Sequence, residues 1–291
     1  MKTAVVVMAY GSPGRLEDVP AYFADIRGGR PVRPEAVEEL VGRYRRVGIS
    51  PLNRITEAQR AALEAELGLP VYAGMKHWEP RIAEAARRAT GDGADHVVGL
   101  VLAPHYSRMS VGGYRERLEA ALDGTAKLTM IESWHDHSPF LDLVADRLRA
   151  AGLGRETHVV FTAHSLPERI LAERDPYRDQ LLETARCVAG RLELPGDRWS
   201  FAFQSASPTG EPWLGPDVLD HLADLHARGV RKVLLAPIGF VADHLEILWD
   251  LDVEAREKAQ ALGVELKRIE SMNDDPRFAS ALADLVRSRT T

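Results

Sequence analysis

Eight short apolar runs, rich in β-branched residues, punctuate the chain: Ala4 to Met8, Val71 to Ala73, His96 to Leu102, Leu128 to Ile131, Val159 to Thr162, Phe201 to Phe203, Val233 to Ala236 and Val264 to Ile269. Between them lie longer stretches with apolar positions at helical spacing. These open on signals such as Thr56 before Glu57-Ala58-Gln59-Arg60 and stop at glycines such as Gly124 and Gly152. Strands that are apolar throughout, alternating with amphipathic helices, predict parallel sheets covered on both faces.

The two halves repeat. Val5-Val6-Val7-Met8-Ala9-Tyr10-Gly11-Ser12-Pro13 matches Val159-Val160-Phe161-Thr162-Ala163-His164-Ser165-Leu166-Pro167 in pattern, and Val101-Leu102-Ala103-Pro104-His105 matches Leu234-Leu235-Ala236-Pro237-Ile238. Four strands per half predict an α/β fold of two similar Rossmann-like lobes, each a four-stranded parallel sheet flanked by helices, with a cleft between them. The Ala-Gly-Leu-Gly stretch after Ala150 divides an N-terminal lobe, 1–150, from a C-terminal lobe, 151–291, whose last helix is expected to cross back onto the first.

In such sheets ligands sit beyond the carboxyl ends of the strands. The unusual polar groups fall there: Tyr10, Lys76-His77, His105, His164, Gln204-Ser205 and Asp243 to Glu246. An imidazole (His164) and a carboxylate (Glu246) at one sheet end can bind a divalent metal or pass a proton. Glu246, Asp250 and Glu254 are four apart and share a helical face, either a solvated acidic stripe or an inward ladder. The apolar flanks Leu245, Ile247, Leu248 and Trp249 favour the ladder. One His and one Glu are too few for structural zinc, so an open site suits a metal in transit. Lys76, His77 and His105 are read as cleft lining or loop anchors, and His135 and His137 as surface residues.

A formal charge of −6 argues against a general nucleic-acid binder, because phosphate neutralisation needs a clustered basic surface. The exception is the arginine-rich stretch from Arg27 to Arg46, whose guanidinium forks suit carboxylate or phosphate, with a solvated helix face as the competing reading for Arg45 and Arg46. The single cysteine, Cys187, excludes an intramolecular disulfide and a Cys-ligated iron–sulfur cluster, and reads as a packing residue. No run approaches the ~20 apolar residues of a membrane span, and the start lacks a signal-peptide pattern. Cytoplasmic residence is the expectation. No Gly-x-Gly-x-x-Gly, Walker-type loop or Gly-x-Ser-x-Gly elbow occurs where nucleotide binding or serine hydrolysis would need one.

Over essentially its whole length the chain resembles the ferrochelatases. The segments that carry the resemblance are Val7-Met8-Ala9-Tyr10-Gly11-Ser12-Pro13, Gly48-Ile49-Ser50-Pro51-Leu52, Gly74-Met75-Lys76-His77-Trp78-Glu79-Pro80, Leu102-Ala103-Pro104-His105-Tyr106-Ser107, Thr162-Ala163-His164-Ser165-Leu166-Pro167, Asp175-Pro176-Tyr177, Pro212-Trp213-Leu214-Gly215-Pro216 and Gly239-Phe240-Val241-Ala242-Asp243-His244-Leu245-Glu246. It is most similar to the soluble coproporphyrin type, in which a tyrosine at the place of Tyr10 lies over the ring. Near Gly48 it is one residue shorter than relatives that read Gly-Gly-Ile-Ser-Pro-Leu.

That resemblance implies insertion of Fe(II) into coproporphyrin III. It implies an iron site at His164 and Glu246, an outer metal path through Asp250 and Glu254, and porphyrin contacts from Tyr10, Arg27, Arg43, Tyr44, Ser50 and Tyr114. Fe(II) would be a substrate, with no organic cofactor and no cluster. The protein would be a monomer in transient contact with neighbouring haem-pathway enzymes. Competing readings are a protoporphyrin IX ferrochelatase, a cobalt or nickel chelatase of sirohydrochlorin, a two-lobed solute-binding protein and a cytoplasmic haem carrier without chelatase activity.

Overall fold

A computed structural model describes residues 1–207 and 209–290. Its eight strands fall in two parallel sheets. The first contains β1 (Thr3–Ala9), β2 (Val71–Met75), β3 (His96–Val101) and β4 (Lys127–Ile131) in the order β2-β1-β3-β4; the second contains β5 (His158–His164), β6 (Trp199–Gln204), β7 (Lys232–Ala236) and β8 (Glu265–Arg268) in the order β6-β5-β7-β8. The internal repeat is therefore also a repeat of topology, with β1 and β5 in equivalent central places. All eight expected strands are present, with ends that move by two residues at most.

Alternation along the central strands divides the packing. Val5 and Val7 point to one side of the first sheet, Ala4, Val6 and Met8 to the other. The outer side is closed by α4 (Ile82–Gly91) and α5 (Gly113–Leu122). In α4 the residues at spacing 0, 3, 4 and 7, Ile82, Ala85, Ala86 and Ala89, are all buried, as an amphipathic helix requires. The second sheet is covered outside by α9 (Val218–Ala227) and α10 (Arg256–Leu262).

The inner sides of the two sheets share one core. Val5, Val7, Val98 and Leu100 of the first belong to the same cluster as Val159, Phe161 and Leu234 of the second. Joining them are α3 (Leu52–Leu67), α6 (Ser138–Ala150), α8 (Tyr177–Arg191) and the last helix, α11 (Pro276–Thr290), which packs on both α3 and α6. At the centre Trp134 is fully buried, donates its indole N–H to the Val101 carbonyl at 3.0 Å, and meets Phe140 edge-on and Phe278 at 6.0 Å. Cys187, on α8, packs against this core.

His135 and His137 lie beside this joint and are not the surface residues expected from their polar neighbours. Their side chains are 14% exposed, and they contact Glu183 and the Ala281 carbonyl at 3.0 and 3.1 Å. Two further helices belong to the first lobe: α1 (Val19–Ile26) and α2 (Pro34–Val47) form a hairpin inserted between β1 and α3. A short helix, α7 (Arg169–Ala172), follows β5.

Candidate active site

His164 is the last residue of β5, and the chain leaving β7 is laid directly over it. Gly239 makes that approach possible: a Cβ there would stand 2.6 Å from the Ala163 Cβ, so any larger residue would push the loop off the strand end. Its N–H reaches the Thr162 carbonyl at 3.3 Å. From this anchor residues 240–246 return across the cleft floor. Their other end is held by Asp243, which accepts from Ser271 at 2.7 Å, Asn273 at 3.0 Å and Arg268 at 3.1 Å.

Three ionisable groups then converge. His164 Nε2 is 3.5 Å from one oxygen of Glu246, and His244 Nε2 is 3.6 Å from the other. Each imidazole is oriented from behind by its Nδ1–H, donated to the Ser165 carbonyl for His164 and to the Ala242 carbonyl for His244. Tyr177 binds the His164 carbonyl at 3.0 Å, and Trp213 faces the imidazole at 6.5 Å between centroids. His164 and Glu246 stay partly open, at 29% and 38% side-chain exposure.

The electrostatics follow from this crowding. Burial works against charge on His164, yet the Glu246 carboxylate and the Ser165 carbonyl outweigh it and raise its pKa to about 9. Burial would likewise raise Glu246, but His164 and then His244 hold it well below the usual carboxylate range. At rest the pair is imidazolium and carboxylate. Asp250 goes the other way: burial first, then the charge of Glu246, push it up to about 7, against the weaker pull of the Ser205 hydroxyl it accepts from. Ser205 donates from a backbone at φ +64, uncommon for a non-glycine residue.

The helix carrying these acids is not the α-helix that the spacing suggests. Ile247–Ala255 is π-helical, with i→i+5 bonding. The four-residue series Glu246, Asp250 and Glu254, and the buried series Ile247, Leu251 and Ala255, do not reveal it, since a step of four residues misses a full turn by about 40° in an α-helix and by a similar angle in a π-helix. The first lobe has a shorter π segment, Arg108–Gly112, at the equivalent place in the repeat. Asp175 of the second lobe caps it, accepting from Ser107 at 3.0 Å and from the Arg108 N–H at 2.8 Å.

Opposite lies the end of β1. Tyr10 is 40% exposed and its ring lies 4.6 Å from that of His77, which is tied through Nδ1 to Asp25 at 2.8 Å. Burial, with Glu246 acting across the cleft, pushes the Tyr10 hydroxyl far above its ordinary pKa. Lys76 donates to the Ser110 carbonyl at 2.9 Å and lies 4.8 Å from the Tyr114 ring centroid; burial and then Arg117 lower its pKa to about 8. Arg43 reaches over from α2 to the Trp249 indole of the π segment.

Not every expected residue presents itself to the cleft. Tyr44, Ser50 and Tyr114 are 2%, 7% and 6% exposed, with the Tyr44 hydroxyl 3.3 Å from Ser12 Oγ. Arg27 lies exposed at the C-terminal end of α1. His105 does not line the cleft: it is 2% exposed and bonded at 2.9 Å to Thr184 of α8, which makes it a contact between lobes. His244 was missed, because an Asp-His-Leu-Glu segment does not reveal that both imidazoles face one carboxylate. Among the described residues no three or more His, Cys, Asp or Glu side chains are grouped to hold a metal ion, and no helix is long and apolar enough to cross a membrane. A metal arriving between His164, Glu246 and His244 would have to replace their mutual contacts.

Comparison with known proteins identifies the family. The sequence model of the family described as Ferrochelatase matches residues 2–290. A ferrochelatase of Herpetosiphon aurantiacus is 46% identical, with 98% of each chain covered. A coproporphyrin III ferrochelatase of Geobacillus kaustophilus is 42% identical over 99% of this chain and 96% of its own. Among solved structures, SirB from Bacillus subtilis with Fe3+ superposes with a TM-score of 0.66 at 13% identity, over 100% of this chain and 96% of that one; this supports the shared fold.

Proposed function

The chain belongs to the ferrochelatase family and is a lyase that inserts a metal into a tetrapyrrole; from that premise we propose that the metal is Fe(II) and the ring coproporphyrin III. The observation that carries the reading is the convergence of His164 and His244 on Glu246, across the cleft from Tyr10. The choice of ring is supported by the name of the Geobacillus relative, by Tyr10 in Met-Ala-Tyr-Gly, and by the arginines of the α1–α2 hairpin, since four propionates reward donors more than two.

Insertion replaces two pyrrole protons by one Fe(II), so the site must part the ion from water and give two protons somewhere to go. In the resting pair His164 already carries a proton, and it becomes a base only after losing it. A divalent ion arriving beside Glu246 supplies the reason: its charge takes over the role of the imidazolium. His164 first gives its own proton to Asp250, and its freed Nε2 then accepts the two pyrrole protons in turn, on the face where Glu246 stands, passing each to Asp250 before it takes the next. Asp250, whose pKa of about 7 lets it gain or lose a proton near neutrality, carries protons outward toward Glu254. Tyr10 covers the ring from the first lobe, with Arg43 holding a propionate; Arg27 is the outermost donor.

The test is Fe(II) insertion into coproporphyrin III and protoporphyrin IX, measured side by side. Insertion favouring coproporphyrin III is expected, and folded His164→Ala and Glu246→Gln variants should lose about a hundredfold or more in rate. Variants that keep the wild-type rate would refute the site. Binding of the ring without insertion would leave a carrier.

A further inference from the structure

The α1–α2 hairpin holds the second lobe through one indole and one ion pair. Trp249, third residue of the π segment, has the guanidinium carbons of Arg43 and Arg46 at 5.3 and 5.6 Å from its ring. Arg46 is tied further to Glu257 on α10, and Arg43 to Glu39 at 2.8 Å. Trp249 directly precedes Asp250, and the charge of Arg43 acts on that buried carboxyl. A cation approaching Asp250 from Glu254 therefore meets a guanidinium stacked beside it. Arg43 is also the residue to which the proposed function gives a carboxylate of the ring, so on that reading one side chain serves both substrates.

We propose that Arg43 is an electrostatic gate on the metal's route: stacked on Trp249 it repels a divalent cation from Asp250 while the cleft is empty, and it leaves that post when a carboxylate of the tetrapyrrole takes its guanidinium. Metal uptake then follows ring binding. A carboxylate forms charge-assisted, paired hydrogen bonds with a guanidinium, a stronger hold than a partly exposed aromatic face offers. Trp249 is a positioning residue, kept in place by Arg46 and Glu257 after Arg43 departs. The inference rests on reading Glu246, Asp250 and Glu254 as the metal's approach, and adds an order to it.

The experiment measures Mn(II) binding by electron paramagnetic resonance in the whole protein, without turnover. Arg43→Gln and Trp249→Leu are expected to bind Mn(II) roughly five- to thirtyfold more tightly than wild type when no ring is present, the effect of removing one unit charge from beside a divalent ion in partly screened surroundings. Trp249→Phe keeps the aromatic face and should behave as wild type. Zinc coproporphyrin III, whose centre is already filled, should tighten Mn(II) binding to wild type by a similar factor and change Arg43→Gln little. Asp250→Asn should weaken binding and so identify the site measured. Equal Mn(II) affinity in wild type, Arg43→Gln and Trp249→Leu, or indifference of wild type to the zinc ring, would overturn the gate. If wild type inserts iron into coproporphyrin III while these Mn(II) results fail, the gate alone falls; if it inserts none, the functional reading falls independently of the Mn(II) results.

Discussion

Replacing Asp250 by Asn should make the protein sturdier and slower at once. The residue is 6% exposed, and burial beside Glu246 moves its pKa from 3.8 in an open chain up to about 7. Between those two values the folded protein keeps a proton that the unfolded chain has released, so stability falls as the pH rises through this window. At 1.36 kcal/mol per unit the whole loss is on the order of 4 kcal/mol, complete by about pH 8. Asn retains an acceptor for the Ser205 hydroxyl and has no charge to desolvate, so it escapes the loss. Guanidinium unfolding of wild type and Asp250→Asn should therefore diverge from about 1 kcal/mol at pH 4.5 to about 4 kcal/mol at pH 8, with the variant more stable. Fe(II) insertion by the variant should meanwhile drop at least about tenfold, because the outward path loses its titrating member. A stability difference that does not vary with pH, or a variant weaker than wild type at pH 8, would refute the burial argument.

Three further outcomes are expected. By NMR the His164 imidazole should titrate near pH 9 in wild type and no higher than about 6.5 in Glu246→Gln, where burial acts without its counter-charge; the stability that His164 contributes is full below 6.5 while Glu246 stays ionised, and is lost as the pH rises through 9. Tyr10→Phe should change the absorption spectrum of the bound iron-porphyrin, and an unchanged spectrum would count against contact between the Tyr10 oxygen and the metal. Phe278→Ala should cost about 3–5 kcal/mol in chemical unfolding, since this ring is fully buried against Trp134 where the two sheets share their core.

The strands were legible because parallel strands buried on both faces leave apolar runs that little else in a soluble chain imitates, and the repeat then gave both sheets their common plan. His164 and Glu246 were legible because each follows such a run. Other features depend on distances that sequence does not encode. His244 became visible only once Gly239 and Asp243 had fixed the loop. The π turn was hidden behind a four-residue spacing that an α-helix nearly shares. For His105 the place after β3 left cleft lining and loop anchor both open, and the approach of α8, which buries it against Thr184, decides for the anchor.

The core common to the two sheets bears on how the enzyme can move. Two domains joined by a flexible linker close on a ligand by swinging as rigid bodies. Here such a swing would tear Trp134, Phe140 and Phe278 from their neighbours and expose apolar surface from both halves. The width of the cleft is thus set at folding. A frame this stiff is suited to imposing its own shape on a flat ring instead of adapting to it.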